Sequence, residues 1–204
     1  MATQYEAFIS YRHEDYSRAV AIAVDKALKT YAKPFLSPPR KIFRDENILK
    51  PGDDISKEVQ KALDHSGYLI YLASKEAADS PWVKNELLYW CKDLKRIDKL
   101  IIIHVSDEIK YIPDSSLLDW VGSDALLNDL DEHIQGTPLF VDMRKSEELA
   151  DLDLENLRFK SHINRLLATF NDLTPEEMNG EEVLVYRKNK RLRNGAVTMM
   201  GILA

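Results

Sequence analysis

An α/β fold, a parallel sheet covered by helices on both faces, is predicted by three features of this 204-residue chain. Short apolar runs alternate along it with segments of helical spacing. Two of the runs, "GYLIYLAS" (67–74) and "KLIIIHVS" (99–106), are apolar without alternation, as strands covered on both faces require. The connections between these segments are short, so strand and helix must alternate in space as they do in sequence.

The elements follow in order. "YEAFIS" (5–10) reads as a first strand, and "RAVAIAVDKALKTY" (18–31) as a helix with its stripe at Val20, Ala23, Val24, Ala27 and Tyr31. Pro34 disfavours helical geometry before it and stops that helix near Lys33. "SPPRKIFRDE" (37–46) holds a proline-marked loop and a short strand around Ile42 and Phe43. "KPGDDI" (50–55) is turn chemistry, with Asp53 or Asp54 as N-cap of a helix striped by Ile55, Val59, Ala62 and Leu63. Ser80 and Pro81 mark a helix start, a hydroxyl cap followed by a proline whose missing N–H costs nothing there. That helix is expected to run to about Arg96, burying Val83, Leu87, Trp90 or Cys91, and Leu94. Residues 107–136 are less regular and contain Trp120; "TPLFVDM" (137–143) reads as the last strand. "LENLRFKSHINRLLATF" (154–170) closes as a helix through Phe159, Ile163, Leu166 and Phe170.

Composition narrows the function. With 45% hydrophobic and 30% charged residues, the chain can bury one ordinary core and keep a solvated surface. A net charge of −6 argues against broad nucleic-acid binding. The single cysteine, Cys91, excludes an internal disulfide and a multi-cysteine zinc site, and fits a reducing cytoplasm. "MATQYEAFISY" lacks the basic start and apolar run of a secretory signal. His65, His104, His133 and His162 have no metal-ligand spacing, so no metal is expected. There is no Gly-x-Ser-x-Gly elbow and no glycine-rich phosphate loop, and Cys91 falls on a core stripe.

Ligands of such sheets sit beyond the carboxyl ends of the strands. Four places qualify: "SYRHED", "RDENILKPGDD", "ASKEAADSPW" and "SDEIKY". Trp82 and Glu86 stand four apart on the helix that follows the third of these. Two readings are open for Glu86: a solvated acid near a helix N-terminus, or a carboxylate placed at the crevice beside an indole. Arg12 likewise either clamps phosphate or carboxylate oxygens of a ligand, or pairs with Asp45 or Asp15. His13 reads as a surface residue.

"YEAFISYRHED", "RDENILKPGDDI" and "SPWVKNELLYW", in this order and spacing, resemble the first box, the second box with its following loop, and the third-helix Trp-x-x-x-Glu of a Toll/interleukin-1 receptor (TIR) domain. The resemblance covers roughly residues 4–170 and implies a flavodoxin-like fold with a five-stranded parallel sheet. It implies an NAD+ glycohydrolase of bacterial defence or signalling type, with a cyclic product as an alternative outcome. NAD+ is the substrate and no cofactor is required. Glu86 matches the catalytic glutamate of enzymatic members. Ser10, Tyr11, Arg12, Phe43, Asp45, Lys50, Ser74 and Trp82 are the substrate-binding positions it implies, although enzymatic relatives often carry an acid where Lys50 falls. Receptor-adaptor members of the family lack the activity and act by self-association, which is the rival reading. Stacking of copies through the loop "ILKPGDDI" is implied as well.

One carboxylate suffices for that chemistry. Nicotinamide leaves a cationic pyridinium as a neutral molecule and needs no proton, unlike the leaving group of an ordinary glycosidase. Positive charge develops on the ribose, and an anion beneath it binds the transition state better than the ground state.

Residues 171–204 lie outside the resemblance. "NDLTPEEMNGEE" reads as an acidic linker, and "YRKNKRLRN" (186–194) precedes an apolar end, "GAVTMMGILA". Two readings stay open: the cytoplasmic flank of a membrane segment in a longer, membrane-anchored protein, or an amphipathic docking helix.

Overall fold

The computed structural model describes residues 3–34, 37–44, 57–134 and 136–202, with side chains as far as 192. Strand β1 (Tyr5–Ser10) leads into helix α1 (Asp15–Thr30), then β2 (Ile42–Arg44), α2 (Lys57–Asp64) and β3 (Ser66–Ala73). The short α3 (Lys75–Ala78) and α4 (Pro81–Leu88) precede β4 (Leu100–His104). A two-stranded antiparallel hairpin, β5 (Lys110–Tyr111) and β6 (Leu118–Asp119), interrupts the path to β7 (Leu139–Asp142). Helices α5 (Leu157–Phe170) and α6 (Pro175–Ile202) close the described chain.

The main sheet has five parallel strands in the order β2-β1-β3-β4-β7, a flavodoxin-like α/β arrangement. The chain runs from β1 to one edge and then returns across β1 to build the rest. Because parallel crossovers are right-handed, that reversal puts α1 and α2 on opposite faces. Val20, Val24 and Leu28 of α1 and Phe159, Ile163 and Leu166 of α5 accordingly share one core with Ile9 and Ile70. Val59 and Leu63 of α2 and Val83, Leu87 and Trp90 of α4 share the other with Phe8, Tyr71 and Ile102. The point between β1 and β3, where the connections part, is where such sheets open a crevice.

Three expectations are corrected. The helix begun at Pro81 does not continue regularly to Arg96: it becomes a π-turn over Tyr89–Asp93, with the Leu94 N–H donating to the Tyr89 carbonyl at 3.0 Å. The wider turn brings both Trp90 and Cys91 inward, where the spacing allowed one or the other. Ser80 occupies the cap position, but its hydroxyl makes no cap bond and is buried without a partner among the described residues. Residues from Pro175 onward form a helix rather than a linker, started by a reciprocal pair: the Thr174 N–H donates to Glu177 Oε2, and the Glu177 N–H to Thr174 Oγ1. Among the described residues no helix is long and apolar enough to cross a membrane. Asp53, Asp54 and Ile55 lie outside the described residues.

Two histidines make stability depend on pH. Burial, above all, lowers the pKa of His104 and of His162, and both ring nitrogens of His162 lack partners. Each is held neutral in the fold, whereas the unfolded chain takes up a proton near pH 6.5. Stability is therefore full above about pH 6.5 and falls as pH drops through that value toward the lower folded pKa. Urea midpoints should decline from pH 7 to pH 5, and His162→Leu should flatten part of that decline; an unchanged slope would show that His162 is not the group involved.

Candidate active site

Strand periodicity sets the first half of the site. Phe8 stacks on Phe43 at 5.0 Å within the core beneath α2 and α4. Ser10, two residues on, points to the same face, while Ile9 and Tyr11 belong to the core on the other face. Helical periodicity sets the second half. Val83, Leu87 and Trp90 press α4 onto the sheet, and Glu86 falls at the margin of that stripe. The two meet beyond the end of β1, where Ser10 Oγ donates a hydrogen bond to Glu86 Oε2 at 2.5 Å. Ser10 is 1% exposed and Glu86 6%, which removes the solvated-acid reading. Taking a carboxylate this far out of water is costly unless hydrogen bonds replace the lost hydration.

The neighbouring loops are tied together around this point. Ser74 caps α3, its hydroxyl accepting from the Ala77 N–H at 3.0 Å, and it is fully buried. The Val105 N–H donates to the Ala73 carbonyl, binding the ends of β3 and β4. Asp107 accepts from the Lys75 N–H at 2.9 Å and from Ser106 Oγ at 2.7 Å, and its carbonyl sits 2.9 Å from His104 Nε2. These donors hold the Asp107 carboxyl below its usual pKa, the Ser106 hydroxyl most of all. Glu14 is raised, first by desolvation and then by the nearby Glu76, with Arg12 opposing. The ends of "SYRHED", "ASKEAADSPW" and "SDEIKY" thus converge at one edge of the sheet.

The expected site residues divide accordingly. Ser10 and Glu86 touch; Trp82, half-buried, stands one turn before Glu86 on α4. Tyr11 is buried on the opposite face with its ring 4.8 Å from that of His13. Arg12 is exposed and forms no ion pair among the described residues, so the pairing with Asp15 is not made. Phe43 packs between Phe8 and Tyr5. Asp45, Lys50 and the rest of "ILKPGDDI" lie outside the described residues. Glu14, Glu76 and Asp107 were not singled out from sequence, although all three sit in the connections that follow β1, β3 and β4. Cys91 offers no nucleophile: burial pushes its thiol up to about 12. A separate cleft of about 450 Å³, lined by Ile97, His133, Ile134 and Leu139 among others, opens at the opposite, amino-terminal edge of β4 and β7.

The chain is similar to known proteins. An NAD(+) hydrolase, ApTIR, of Actinoplanes sp. is 32% identical over 198 residues, covering 97% of this chain and 27% of that protein. The chain thus spans about a quarter of the length of that relative. The TIR domains in a solved structure of the activated Roq1 resistosome recognising the pathogen effector XopQ align over 52% of this chain and 60% of theirs, at 25% identity and a TM-score of 0.42. The sequence profile of the TIR domain matches residues 7–153, from within β1 to beyond β7, and the chain belongs to the TIR domain family.

Proposed function

We propose that this chain cleaves the bond between nicotinamide and ribose in NAD+, with Glu86 as the catalytic carboxylate. The observation that carries the proposal is the placement of Glu86: buried, bonded to Ser10, and set where the connections after β1 and β3 part. The relatedness to a bacterial NAD(+) hydrolase supports it.

The C1′–N bond breaks heterolytically and its electron pair leaves with nicotinamide, now neutral. Water adds to the ribose carbon and gives up a proton, so the products are nicotinamide, ADP-ribose and H+. If a nucleophile of the substrate itself reaches the carbon first, the product is cyclic. The Glu86 anion stabilises the oxocarbenium-like ribose, and Ser10 holds Oε2 in one orientation. Trp82 supplies an aromatic wall one turn away, and Arg12, exposed at the end of β1, suits the diphosphate. Phe43, Tyr11 and Ser74 act behind this surface as packing and capping residues. Residues 1–170 are the catalytic unit in this reading, and a second copy completes the pocket through 50–55. Defence or signalling is the setting proposed with it.

The test is incubation of the purified chain with NAD+, following nicotinamide and ADP-ribose over a range of protein concentrations. A flat trace throughout, crowding included, would leave self-association as the function. Within an active preparation, Ser10→Ala should slow release about tenfold, the scale of one lost hydrogen bond to a charged group. Release at the unaltered rate would mean that Glu86 needs no help from Ser10.

A further inference from the structure

We propose that α6 is an antiparallel self-association surface, pairing with α6 of a second copy about a twofold axis near Leu184. At 100° per residue, Met178, Glu182, Val185 and Asn189 fall within an arc of about 60°. That arc meets the body of the domain: Met178 is buried against the α1/α5 core, Glu182 Oε1 accepts from Lys160 Nζ at 2.8 Å, and Asn189 Nδ2 donates to the Lys33 carbonyl at 3.0 Å. Gly180, Leu184, Arg187 and Arg191 fall in the opposite arc, with Glu177, Glu181 and Lys188 along one flank of it.

This outward face is both apolar at its centre and sorted by charge. Leu184 on this arc is 59% exposed, Val183 beside the arc on the side away from the charged flank is 46% exposed, and nothing lies within 4 Å of where a Cβ on Gly180 would stand. Acids occupy the amino-terminal side of Leu184 (Glu176, Glu177, Glu181) and bases the carboxyl-terminal side (Arg187, Lys188, Lys190, Arg191). A parallel neighbour would set like charge on like. A reversed neighbour centred on Leu184 sets Glu177 beside Arg191 of the second copy and Glu181 beside its Arg187 and Lys188, each pairing occurring twice. The twofold that reverses the helix keeps the charged flank on the same side in both copies, so these contacts are sterically consistent. The domain body lies behind the helix and leaves the face open to a second copy. Exposed ion pairs are individually weak and screened by salt, so the association must be reversible and salt-sensitive.

Sedimentation equilibrium of the 204-residue chain at low and high salt tests this. The expected result is a monomer–dimer equilibrium that weakens with salt and is lost in Leu184→Asp. Glu181→Lys and Lys188→Glu should each weaken dimerisation at least tenfold, and the double variant should restore it. Rescue by the charge swap cannot arise from a folding defect. Mixing Glu181→Lys with Lys188→Glu should give a mixed dimer that neither forms alone. A monomer at all concentrations, or a dimer indifferent to these substitutions, overturns the proposal. So does association only with anionic vesicles. Nicotinamide release is measured in parallel, so that dimerisation and hydrolysis can fail separately.

Discussion

Glu86→Gln is expected to reduce nicotinamide release by about 100-fold or more while leaving the chain folded. The size follows from the role: removing a fixed group that stabilises developing charge typically costs about 10²–10³ in rate. Glutamine preserves the volume at a position that is 6% exposed, and its amide oxygen can still accept from Ser10 Oγ. The substitution removes the negative charge and keeps that bond. Replacing a buried charge by a neutral isostere also removes a desolvation cost, so the variant should remain folded. Loss of activity together with loss of fold would therefore contradict the account. Release at the parental rate from a folded Gln variant would end the proposal that Glu86 is catalytic. The comparison with Ser10→Ala separates charge from orientation: the first substitution removes the anion, the second only one of the groups that aims it.

The sequence was informative wherever a single periodicity decides the outcome. β1 occupies Tyr5–Ser10 as its apolar run predicted, and Pro81 opens α4 at the expected residue. Val20, Val24 and Ala27 of α1, Val59, Ala62 and Leu63 of α2, and Phe159, Ile163 and Leu166 of α5 are buried as the spacing picks out, whereas Ala23 and Phe170 are only half-buried and Ala21 and Leu28 join the buried face of α1. What spacing cannot convey is whether the margin of a stripe is covered. Glu86 lies beside Val83 and Trp90 on the helical wheel, and a hydroxyl 76 residues earlier in the chain meets it at that margin, in a buried, bonded position. Motifs read as strings also hide which face of the sheet each residue takes. Ser10 and Tyr11 are adjacent in the first box but lie on opposite faces of the sheet, and the Ser10 hydroxyl meets Glu86. At α6, acidic composition suggested a linker, whereas the spacing of Met178, Glu182, Val185 and Asn189 carried the docking signal. Tertiary partners decided that case: Lys160, Asn164 and the Lys33 carbonyl each give the helix a bond that composition does not foretell.

The π-turn after α4 bears on the active site because it fixes the far end of the helix that carries Glu86. Trp90 is fully buried there, its Nε1 donates to the Arg96 carbonyl at 2.7 Å, and the Arg96 guanidinium stands 5.5 Å from the ring centroid. Arg96 Nη1 in turn donates to the carbonyls of Asp64 and Ser66 at 3.2 and 3.1 Å, joining the end of α4 to the start of β3. Trp90→Ala should therefore cost about 3–5 kcal/mol, the range for truncating a large aromatic in a packed core. Against a typical total of about 5–15 kcal/mol, that should move the urea midpoint by a large fraction. Trp90→Phe keeps most of the packing but leaves the Arg96 carbonyl without its indole donor, which should cost about 1–3 kcal/mol. Neither substitution touches Ser10 or Glu86, so below the unfolding transition the Phe variant should release nicotinamide at close to the parental rate per folded molecule. A Trp90→Ala chain that unfolds at the parental midpoint would show that α4 is held by its sheet contacts at Val83 and Leu87 alone, and that the π-turn contributes nothing to placing Glu86.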